Sequence, residues 1–364
     1  MTYNCFASCS FGLEGMSALE LRKLSFTDVQ PKDARVYFKA DLLGIAKANM
    51  WLRTADRVYI EIAHFSAVTF DELFENVKQI AWEEYLPQNA AFPVDGDSVK
   101  STLFSVSDVQ SISKKAIVDR LMAKHNTKTL PESGNRYNVH IKILRDEVSV
   151  CLNTSGAGLN RRGYRVTNVS APIRETLAAG LVMLSGWRTG AFADPMCGSG
   201  TIAIEAAMIG ANIAPGRSRT FDSEYWHFID DEFSKVRAQA KLDITDAKEV
   251  YASDIDKKAV RATDANAQAA GVDLRIYHAD VSDFARKGCS VLTNPPYAAR
   301  LGEQQQVRKL YRQMGDALRS TQRKYIITAD NEFERYFGKR ADKKRKLYNG
   351  NIRCTFYQYF KPVK

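Results

Sequence analysis

Residues 191–210 read AFADPMCGSGTIAIEAAMIG and combine three features that decide the fold of this 364-residue chain. A short apolar strand ends at Asp194, glycines follow at Gly198 and Gly200, and the pattern predicts a helix from Thr201 to Ile209. Ligands bind at the carboxyl ends of strands in open α/β sheets, and glycine lets backbone approach a ligand closely. The segment therefore predicts a parallel sheet with a binding loop at one edge.

Strand and helix patterns alternate from Pro172 onward, as in a mostly parallel sheet with helices on both faces. We expect strands at residues 191–195, 249–254, 273–278, 289–294 and 323–329. Asn349-Gly350 favours a type I′ turn, so the last two strands are expected to form a hairpin. The last strand should run antiparallel to the others.

Upstream of this sheet, the pattern predicts two α+β units. The first has strand, helix, strand, strand, helix and strand near residues 3–7, 15–24, 27–29, 35–39, 41–51 and 57–63, a ferredoxin-like order. The second has a helix at 70–85, turn residues at 94–97, a basic amphipathic helix and a hairpin over 139–152. The expected units are 1–65, 66–155, a linker at 156–170, and a catalytic domain at 171–364.

Acidic residues follow the next two strands. Asp254 can accept hydrogen bonds from both hydroxyls of a ribose, and Asp280 can accept one from an adenine amino group. Residues 198–203 also satisfy G-x-G-x-x-A, but a dinucleotide site places its acid about 20 residues further on, whereas Asp254 lies over fifty residues past Gly200. Asp256 is expected to cap the following helix.

The fourth strand ends in Asn294-Pro295-Pro296-Tyr297. The exocyclic amine of a base is a poor nucleophile, and two acceptors aimed at its hydrogens would direct its lone pair at a methyl group. The side-chain oxygen of Asn294 and the carbonyl of Pro295 are suited to this, and Tyr297 to stacking on the base. We therefore predict an S-adenosylmethionine-dependent methyltransferase acting on an amino nitrogen. Carbon methylation would need an activated cysteine, and Cys197 and Cys289 have no adjacent His or Lys.

The formal charge of +10 is unevenly distributed. Residues 98–165 hold twelve Lys/Arg against five Asp/Glu, and residues 335–364 hold ten against one. Such basic segments suit a phosphate backbone, although ordinary solvated basic faces would also explain them. The six scattered cysteines and five histidines form no metal-ligand pattern, so no metal is predicted. Without an export signal or a bilayer-length apolar run, a cytoplasmic location is expected.

Several motifs together resemble the THUMP-domain RNA guanine-N2 methyltransferases, most closely the RlmL-type 23S rRNA enzymes. They are residues 194–201 and 294–297, the segment Ile213–Trp226, and Lys100 with Gln110–Ala116 in the second unit. The resemblance implies a class I (Rossmann-like) methyltransferase domain with N-terminal ferredoxin-like and THUMP domains, N2-methylguanine as product, and 23S rRNA or a ribosomal precursor as partner. No membrane or obligatory protein partner is expected. Ala298 departs from the Gly that such enzymes commonly carry after the turn.

The resemblance also implies residue roles. The S-adenosylmethionine site would comprise Asp194, Met196, Cys197, Gly198, Ser199, Gly200, Thr201, Asp254, Ile255, Asp280, Val281 and Asn294. The target amine would lie on Asn294, Pro295, Pro296 and Tyr297. RNA would contact Lys100, Lys114, Lys115, Arg161, Arg162 and Arg165. Three other enzymes remain as alternatives, because the turn does not distinguish one amine from another: a DNA adenine-N6 enzyme, a tRNA guanine-N2 enzyme and a protein glutamine methyltransferase. The alternative that is not an enzyme is a non-catalytic RNA-binding assembly factor.

Overall fold

The N-terminal unit has the predicted β-α-β-β-α-β order. The computed structural model describes residues 1–167, 172–297 and 304–360. Its first elements are β1 (Tyr3–Cys9), α1 (Glu14–Lys23), β2 (Gln30–Lys32), β3 (Arg35–Ala40), α2 (Leu42–Trp51) and β4 (Ala55–Ser66). The strand expected near residues 27–29 lies at β2 instead. Asp33 and Ala34, with φ angles of 49° and 58°, form the tight turn that leads from β2 into β3.

The second unit contains α3 (Phe70–Gln79), β5 (Val94–Val99), α4 (Val106–His125), β6 (Val139–Leu144) and β7 (Glu147–Asn153). The helix predicted to reach Tyr85 ends at Gln79. The indole nitrogen of buried Trp82 donates to the carbonyl of Val77 at 2.8 Å, so a side chain satisfies a carbonyl at the end of the helix. A short 3-10 turn follows at residues 82–84.

The prediction that residues 94–97 form a turn is wrong, because they belong to β5, which pairs in parallel with β6. His140 on β6 lies between the carboxylates of Asp95 and Asp97, with its Nε2 3.0 Å from Asp97 Oδ1. Gly96 faces Ile141, whose carbonyl oxygen would be 2.4 Å from an added Cβ. A histidine on the neighbouring strand and a close backbone approach thus stabilise a strand made of turn-type residues.

One seven-stranded sheet joins both N-terminal units in the order β2-β3-β1-β4-β7-β6-β5. Antiparallel pairing of β4 with β7 connects them, from Tyr59 opposite Asn153 to Ser66 opposite Glu147. The boundary predicted at residue 65 therefore falls within a continuous sheet.

The C-terminal part is a second seven-stranded sheet flanked by helices. Its elements are α5 (Glu175–Leu184), β8 (Phe192–Asp194), α6 (Thr201–Gly210), α7 (Glu232–Leu242), β9 (Val250–Asp254), α8 (Lys257–Ala270), β10 (Arg275–His278), β11 (Ser290–Thr293), α9 (Gln304–Ala317), β12 (Arg323–Thr328), α10 (Phe333–Phe337), β13 (Lys343–Asn349) and β14 (Ile352–Tyr359). The strand order is β10-β9-β8-β11-β12-β14-β13. Strands β8 to β12 pair in parallel, and β14 runs antiparallel to β12. The predicted hairpin is confirmed, with Asn349 paired to Ile352.

The two parts share buried surface. Phe221, Trp226 and Phe233 belong to the core of the N-terminal part, and the amide of Gly216 donates to the carbonyl of Met50 on α2 at 3.0 Å. The segment Ile213–Trp226, singled out in the sequence, is thus the structural connection between the catalytic sheet and the N-terminal units. Across the described residues, no helix combines the length and apolar character needed to cross a membrane.

Arg219 fixes the linker that joins the two parts. Its guanidinium donates to the carbonyls of Ala157 and Gly158 at 2.6 Å, and to those of Ser155 and Arg161 at 3.2 Å. The glycine-containing segment after residue 155 therefore follows a defined path, to which the Arg219 side chain contributes four hydrogen bonds.

Candidate active site

The sheet order brings the predicted site residues to one edge. Strand β8 lies between β9 and β11, and β10 lies beside β9, all four in parallel. The loops after these strands carry Asp194, Asp254, Asp280 and Asn294. Because the carboxyl ends of parallel strands meet at the same edge, the four sequence motifs lie at one edge of the sheet.

Positive φ angles shape the glycine loop, residues 195–200 between β8 and α6. Gly198 has a φ of 55° and Gly200 a φ of 82°. An added Cβ at Gly200 would lie 2.7 Å from Cγ2 of Thr263 on α8. Any other L-residue at Gly200 would meet both a strained backbone and a steric clash, so glycine is needed here.

Two buried polar residues of α8 hold the glycine loop in place, and the sequence analysis missed both. The hydroxyl of Thr263 donates to the carbonyl of Gly198 at 2.9 Å, and the amide of Asn266 donates to the carbonyl of Ser199 at 3.0 Å. Both side chains are fully buried. Their spacing of three residues on one helix face was the signal available in the sequence.

Asp254, at the end of β9, accepts a hydrogen bond from the glycine loop that follows the neighbouring strand β8. Its Oδ2 accepts from the amide of Gly198 at 2.9 Å, and its Oδ1 accepts from the amide of Asp256 at 2.9 Å. Each carboxylate oxygen retains further capacity to accept hydrogen bonds. Asp256 caps α8 by accepting from the amide of Lys258 at 2.8 Å, which confirms the predicted cap.

Asp194 connects the glycine loop to β11, the strand before residues 294–297, which we call the acceptor turn. Its Oδ1 accepts from the hydroxyl of Thr293 at 2.7 Å and from the amide of Met196 at 3.3 Å. Only 1% of Asp194 is exposed. Burial raises the pKa of this carboxyl to about 7, although the hydrogen bonds from Thr293 and Met196 lower it.

A cavity of about 400 Å³ lies at this edge, lined by residues that include Asp194, Ser253, Asp280 and Phe284. Asp280 Oδ1 accepts from the amide and the hydroxyl of Ser282 at 2.8 and 2.9 Å. Val281 is buried, whereas Ile255, which follows Asp254, is 65% exposed.

Stacked side chains form one wall of this cavity. The guanidinium carbon of Arg286 lies 3.6 Å from the ring centroid of Tyr251 and 5.1 Å from that of Tyr277. All three residues line the cavity. No local pattern in the sequence indicates these three residues, because their contacts depend on the pairing of β9 with β10.

The acceptor turn is supported from below. Thr293 and Pro295 are buried, whereas Asn294 and Tyr297 are half-buried and Pro296 is exposed. The hydroxyl of Tyr311 on α9 donates to the carbonyl of Pro296 at 3.3 Å. Within the described residues, no hydrogen bond engages the Asn294 side chain. Ala298, where the sequence departs from the family pattern, lies outside the described residues.

Half of the residues predicted to contact RNA have internal partners. Arg162 is 3% exposed and pairs with buried Glu205 at 3.2 Å. Arg165 donates to Glu175 at 2.8 Å and to the hydroxyl of Thr201 at 3.1 Å. Lys114 pairs with Glu132 at 2.7 Å and donates to the carbonyl of Phe92 at 3.0 Å. Since each of the three cations already pairs with a carboxylate of the protein, we do not include them in the proposed RNA surface.

Lys100, Lys115 and Arg161 are exposed and stay candidates for RNA contact. Beside Lys100, the ring of Phe104 is 81% exposed, and the sequence analysis missed it. The loop that carries this ring is tied down, because Ser98 Oγ donates to the carbonyl of Leu103 at 2.6 Å and the amide of Thr102 donates to Asp146 at 2.6 Å. The loop between β5 and α4 therefore carries an exposed aromatic ring four residues after an exposed cation.

The C-terminal basic segment has structural roles of its own. Strand β13 lies at the sheet edge, and its lysines discourage pairing with another chain. Lys344 pairs with Glu334, and Arg345 donates to the carbonyl of Gly12 at 3.1 Å. Residues 361–364 lie outside the described part of the chain.

No cysteine in the structure resembles an activated nucleophile. All six are buried. Burial raises the pKa of the Cys197 thiol far above its usual range, and it also raises the pKa of Cys289. Nor do the described residues contain a cluster of three or more His, Cys, Asp or Glu that could hold a metal. The site therefore offers hydrogen-bond acceptors rather than a nucleophile.

Comparison with known families agrees with this architecture. Residues 162–358 match the model of the UPF0020 family, described as an RMKL-like methyltransferase domain. The chain belongs to this family. Residues 4–59 match the RlmL ferredoxin-like domain, and residues 67–153 match the THUMP domain. The catalytic part is therefore an S-adenosylmethionine-dependent methyltransferase domain, as predicted.

Individual relatives extend the match to the whole chain. The chain is 43% identical to "Putative RNA methyltransferase YpsC" of Bacillus subtilis (strain 168), over 100% of this chain and 97% of that protein. It is 34% identical to the ribosomal RNA large subunit methyltransferase K/L of Syntrophotalea carbinolica, over 97% of this chain but only 53% of that protein. The crystal structure of SMU.472 complexed with SAH superimposes with a TM-score of 0.93 at 39% identity, covering 100% of this chain and 99% of that one.

Proposed function

We propose that this protein transfers the methyl group of S-adenosylmethionine to the exocyclic amine of a base in RNA, and that the base is a guanine of 23S rRNA methylated at N2. One observation carries the catalytic part of the proposal. The half-buried side chain of Asn294 has no hydrogen-bond partner among the described residues, and it directly follows Thr293, which is bound to Asp194 directly before the glycine loop. An unoccupied acceptor thus lies next to the loop of a cofactor site.

The residues at the sheet edge fit this cofactor. Gly198 and Gly200 supply a close-approach loop whose conformation other residues would not adopt. In the proposal, Asp194 attracts the cationic methionine end and Asp254 accepts from the ribose hydroxyls. Asp280 accepts from the adenine amine, while Ile255 packs on the adenine ring and loses its exposure. The bound cofactor supplies an electrophilic methyl group.

Methyl transfer then depends on two acceptors. The side-chain oxygen of Asn294 and the carbonyl of Pro295 accept the two hydrogens of the amine, so its lone pair turns away from the base ring and towards the methyl group. Tyr297 stacks on the base, which is flipped out of its stack with the neighbouring bases. Tyr311 holds the carbonyl of Pro296 and so keeps the turn in position. As the nitrogen bonds to the methyl carbon, the sulfur–methyl bond of the cofactor would break with its electron pair kept by sulfur, and the methylated nitrogen would release one of its two hydrogens as a proton to water. Catalysis in this scheme comes from orientation and preorganised hydrogen bonds.

RNA is favoured over DNA by the N-terminal units. The chain carries a THUMP domain, and its relatives include proteins named as ribosomal RNA large subunit methyltransferases. Lys100, Lys115 and Arg161 are exposed cations that suit a phosphate backbone. Guanine N2 as the acceptor rests on the resemblance to the RlmL-type enzymes, because the acceptor turn suits adenine N6 equally well.

The affinity for S-adenosylmethionine is expected to rise with pH. Asp194 has a folded pKa of about 7 against a usual value of 3.8, so near neutrality it is partly protonated. A cation bound nearby favours the ionised form, so affinity should increase between about pH 6 and pH 8. By the same shift, folding stability without cofactor should fall as pH rises from about 4 to 7. Asp194→Asn should flatten the affinity profile measured by titration calorimetry; an equal slope in wild type and variant would contradict the assignment.

RNA binding should weaken when exposed lysines of the second unit are reversed in charge. We expect Lys100→Glu with Lys115→Glu to lower the affinity for rRNA fragments and to reduce the salt slope by about 0.7–0.9 per lost phosphate contact. The matched control is Lys241→Glu, which reverses the charge of an exposed lysine on α7. Filter binding at several salt concentrations measures both quantities, and unchanged binding in the double variant would remove these lysines from the RNA surface.

Nucleoside mass spectrometry of rRNA and tRNA from cells that lack the protein tests the proposed substrate. We expect one N2-methylguanosine to disappear from 23S rRNA and to return when the wild-type gene is restored. Loss of a methylguanosine from tRNA, or of N6-methyladenine from DNA, would replace the proposed substrate with one of the alternatives.

A further inference from the structure

A second cleft lies between the N-terminal unit and the catalytic sheet. It has a volume of about 250 Å³, slightly below the roughly 300–1,000 Å³ typical of small-molecule sites. On the N-terminal side, α1 and α2 contribute Lys23 and Trp51, and Arg53 follows α2. Arg188 and Lys248 line the other side. Domain interfaces are frequent places for ligand sites.

This cleft is distinct from the methyl-transfer site. Arg188 precedes β8, and Lys248 precedes β9, so both lie at the amino ends of these strands. The glycine loop and Asp254 lie at the carboxyl ends of the same two strands. Since β8 and β9 run in parallel, the cleft and the cofactor cavity occupy opposite edges of the sheet.

Arg53 is a buried cation without a matching anion. It is 7% exposed, and its Nη1 is fully buried with no hydrogen-bond partner among the described residues. Two acids act on it electrostatically, but neither forms an ion pair with it among the described residues: Glu20 accepts from Thr54, and Glu205 accepts from Arg162 through Oε1 while its Oε2 has no hydrogen-bond partner. A buried charge that lacks a partner is costly, so this guanidinium favours an anion in the adjoining cleft.

The charge of the cleft lining supports an anionic ligand. Its cations are Lys23, Arg53, Arg188 and Lys248, and its one carboxylate is Glu20. Both oxygens of Glu20 accept hydrogen bonds: Oε1 from the amide of Arg53 at 2.9 Å, and Oε2 from the amide of Thr54 at 3.0 Å. Among the described residues, four cations therefore line the cleft against a single acid that is already bound, and two of them, Lys248 and Arg188, also donate to the carbonyls of Arg188 and Trp187.

The remaining walls are apolar or aromatic, and they suit a ligand with an organic body. Leu24, Met183 and Ile209 line the cleft beside half-buried Trp51 and buried Trp187. The ammonium of Lys248 lies 5.4 Å from the ring centroid of Trp187. Inorganic phosphate alone would leave these walls without a partner.

We propose that this cleft binds a small phosphate monoester with an aromatic body, such as a nucleoside monophosphate, with Arg53 as its central phosphate ligand. The ligand would contact both parts of the protein at once. Its binding would therefore stabilise one arrangement of the N-terminal units relative to the catalytic sheet.

Titration calorimetry with GMP, in the presence of saturating S-adenosylhomocysteine, tests this site while the cofactor cavity is filled. We expect wild-type protein to bind GMP more tightly than inorganic phosphate, and Arg53→Met to weaken GMP binding about tenfold or more. Arg53→Lys, which retains the charge, should keep part of the affinity. Lys39→Met, an exposed lysine on β3 that does not line the cleft, is the control.

Thermal unfolding separates a binding role of Arg53 from a purely structural one. Without ligand, Arg53→Met should unfold at the same or a higher temperature, because the variant removes a buried charge that has no partner. GMP should raise the unfolding temperature of the wild type and leave that of Arg53→Met unchanged. Equal GMP binding by wild type and Arg53→Met, no binding by either, or a requirement for an RNA oligonucleotide in place of GMP would overturn the proposal.

Discussion

Replacing Asn294 with alanine is expected to lower the rate of methyl transfer by about 10²–10³-fold while changing cofactor affinity far less, because the variant mainly removes one preorganised acceptor for the amine. The side chain is half-buried and forms no hydrogen bond to another described residue, so little of the fold depends on it. Single-turnover kinetics with labelled S-adenosylmethionine measure the rate, and calorimetry measures the affinity. Asn351→Ala, an exposed asparagine in the β13–β14 turn, is the matched control.

Asp254→Ala should give the opposite result. A hydrogen bond to a charged group contributes roughly 1.5–3 kcal/mol, so cofactor affinity should fall about tenfold or more, with the rate at saturating cofactor less affected. Together, the two variants distinguish a loss of cofactor affinity, expected at Asp254, from a loss of methyl-transfer rate, expected at Asn294. Full activity of Asn294→Ala would contradict the acceptor mechanism, whatever Asp254→Ala does.

Arg162→Ala is expected to lower the free energy of unfolding by about 3–5 kcal/mol, because it leaves buried Glu205 without its cation. The same guanidinium donates to the carbonyls of Leu159 and Arg53, at 2.7 and 2.5 Å. It thus joins the linker, the N-terminal unit and α6. The urea concentration at the unfolding midpoint measures the loss.

A double variant separates this structural role from RNA binding. Arg162→Met with Glu205→Leu removes both buried charges and should recover part of the stability. RNA affinity of the double variant should match that of the wild type. A stable Arg162→Ala protein that binds RNA weakly would instead return Arg162 to the RNA surface.

The sequence was sufficient for the catalytic sheet because each of its signals is local. Strand ends, glycines and the Asn349-Gly350 turn carry their information within a few residues, and the parallel pairing of β8 to β12 followed from their alternation with helices. The acids Asp194 and Asp254 were placed at one edge for the same reason. The prediction of a turn at residues 94–97 was wrong, because the stability of β5 depends on His140, more than forty residues away.

Partners distant in the chain account for the other gaps. Arg162 lies in a basic cluster that resembles an RNA-binding segment, but its partner Glu205 is on α6. Thr263, Asn266 and Tyr311 support the glycine loop and the acceptor turn through contacts with residues distant in the chain; the spacing of Thr263 and Asn266 places them on one helix face but does not identify what they contact. Local sequence patterns therefore predicted the residues facing the proposed ligands better than the residues that hold them in place.

The most direct test of the central claim is methylation of purified RNA. Wild-type protein is incubated with S-adenosylmethionine that carries a deuterated methyl group and with 23S rRNA from cells lacking the protein, and the digested nucleosides are analysed by mass spectrometry. We predict one deuterated methyl group on N2 of a guanosine, absent with Asn294→Ala. Label on adenine N6, label on a pyrimidine carbon, or transfer to DNA but not RNA would contradict the account.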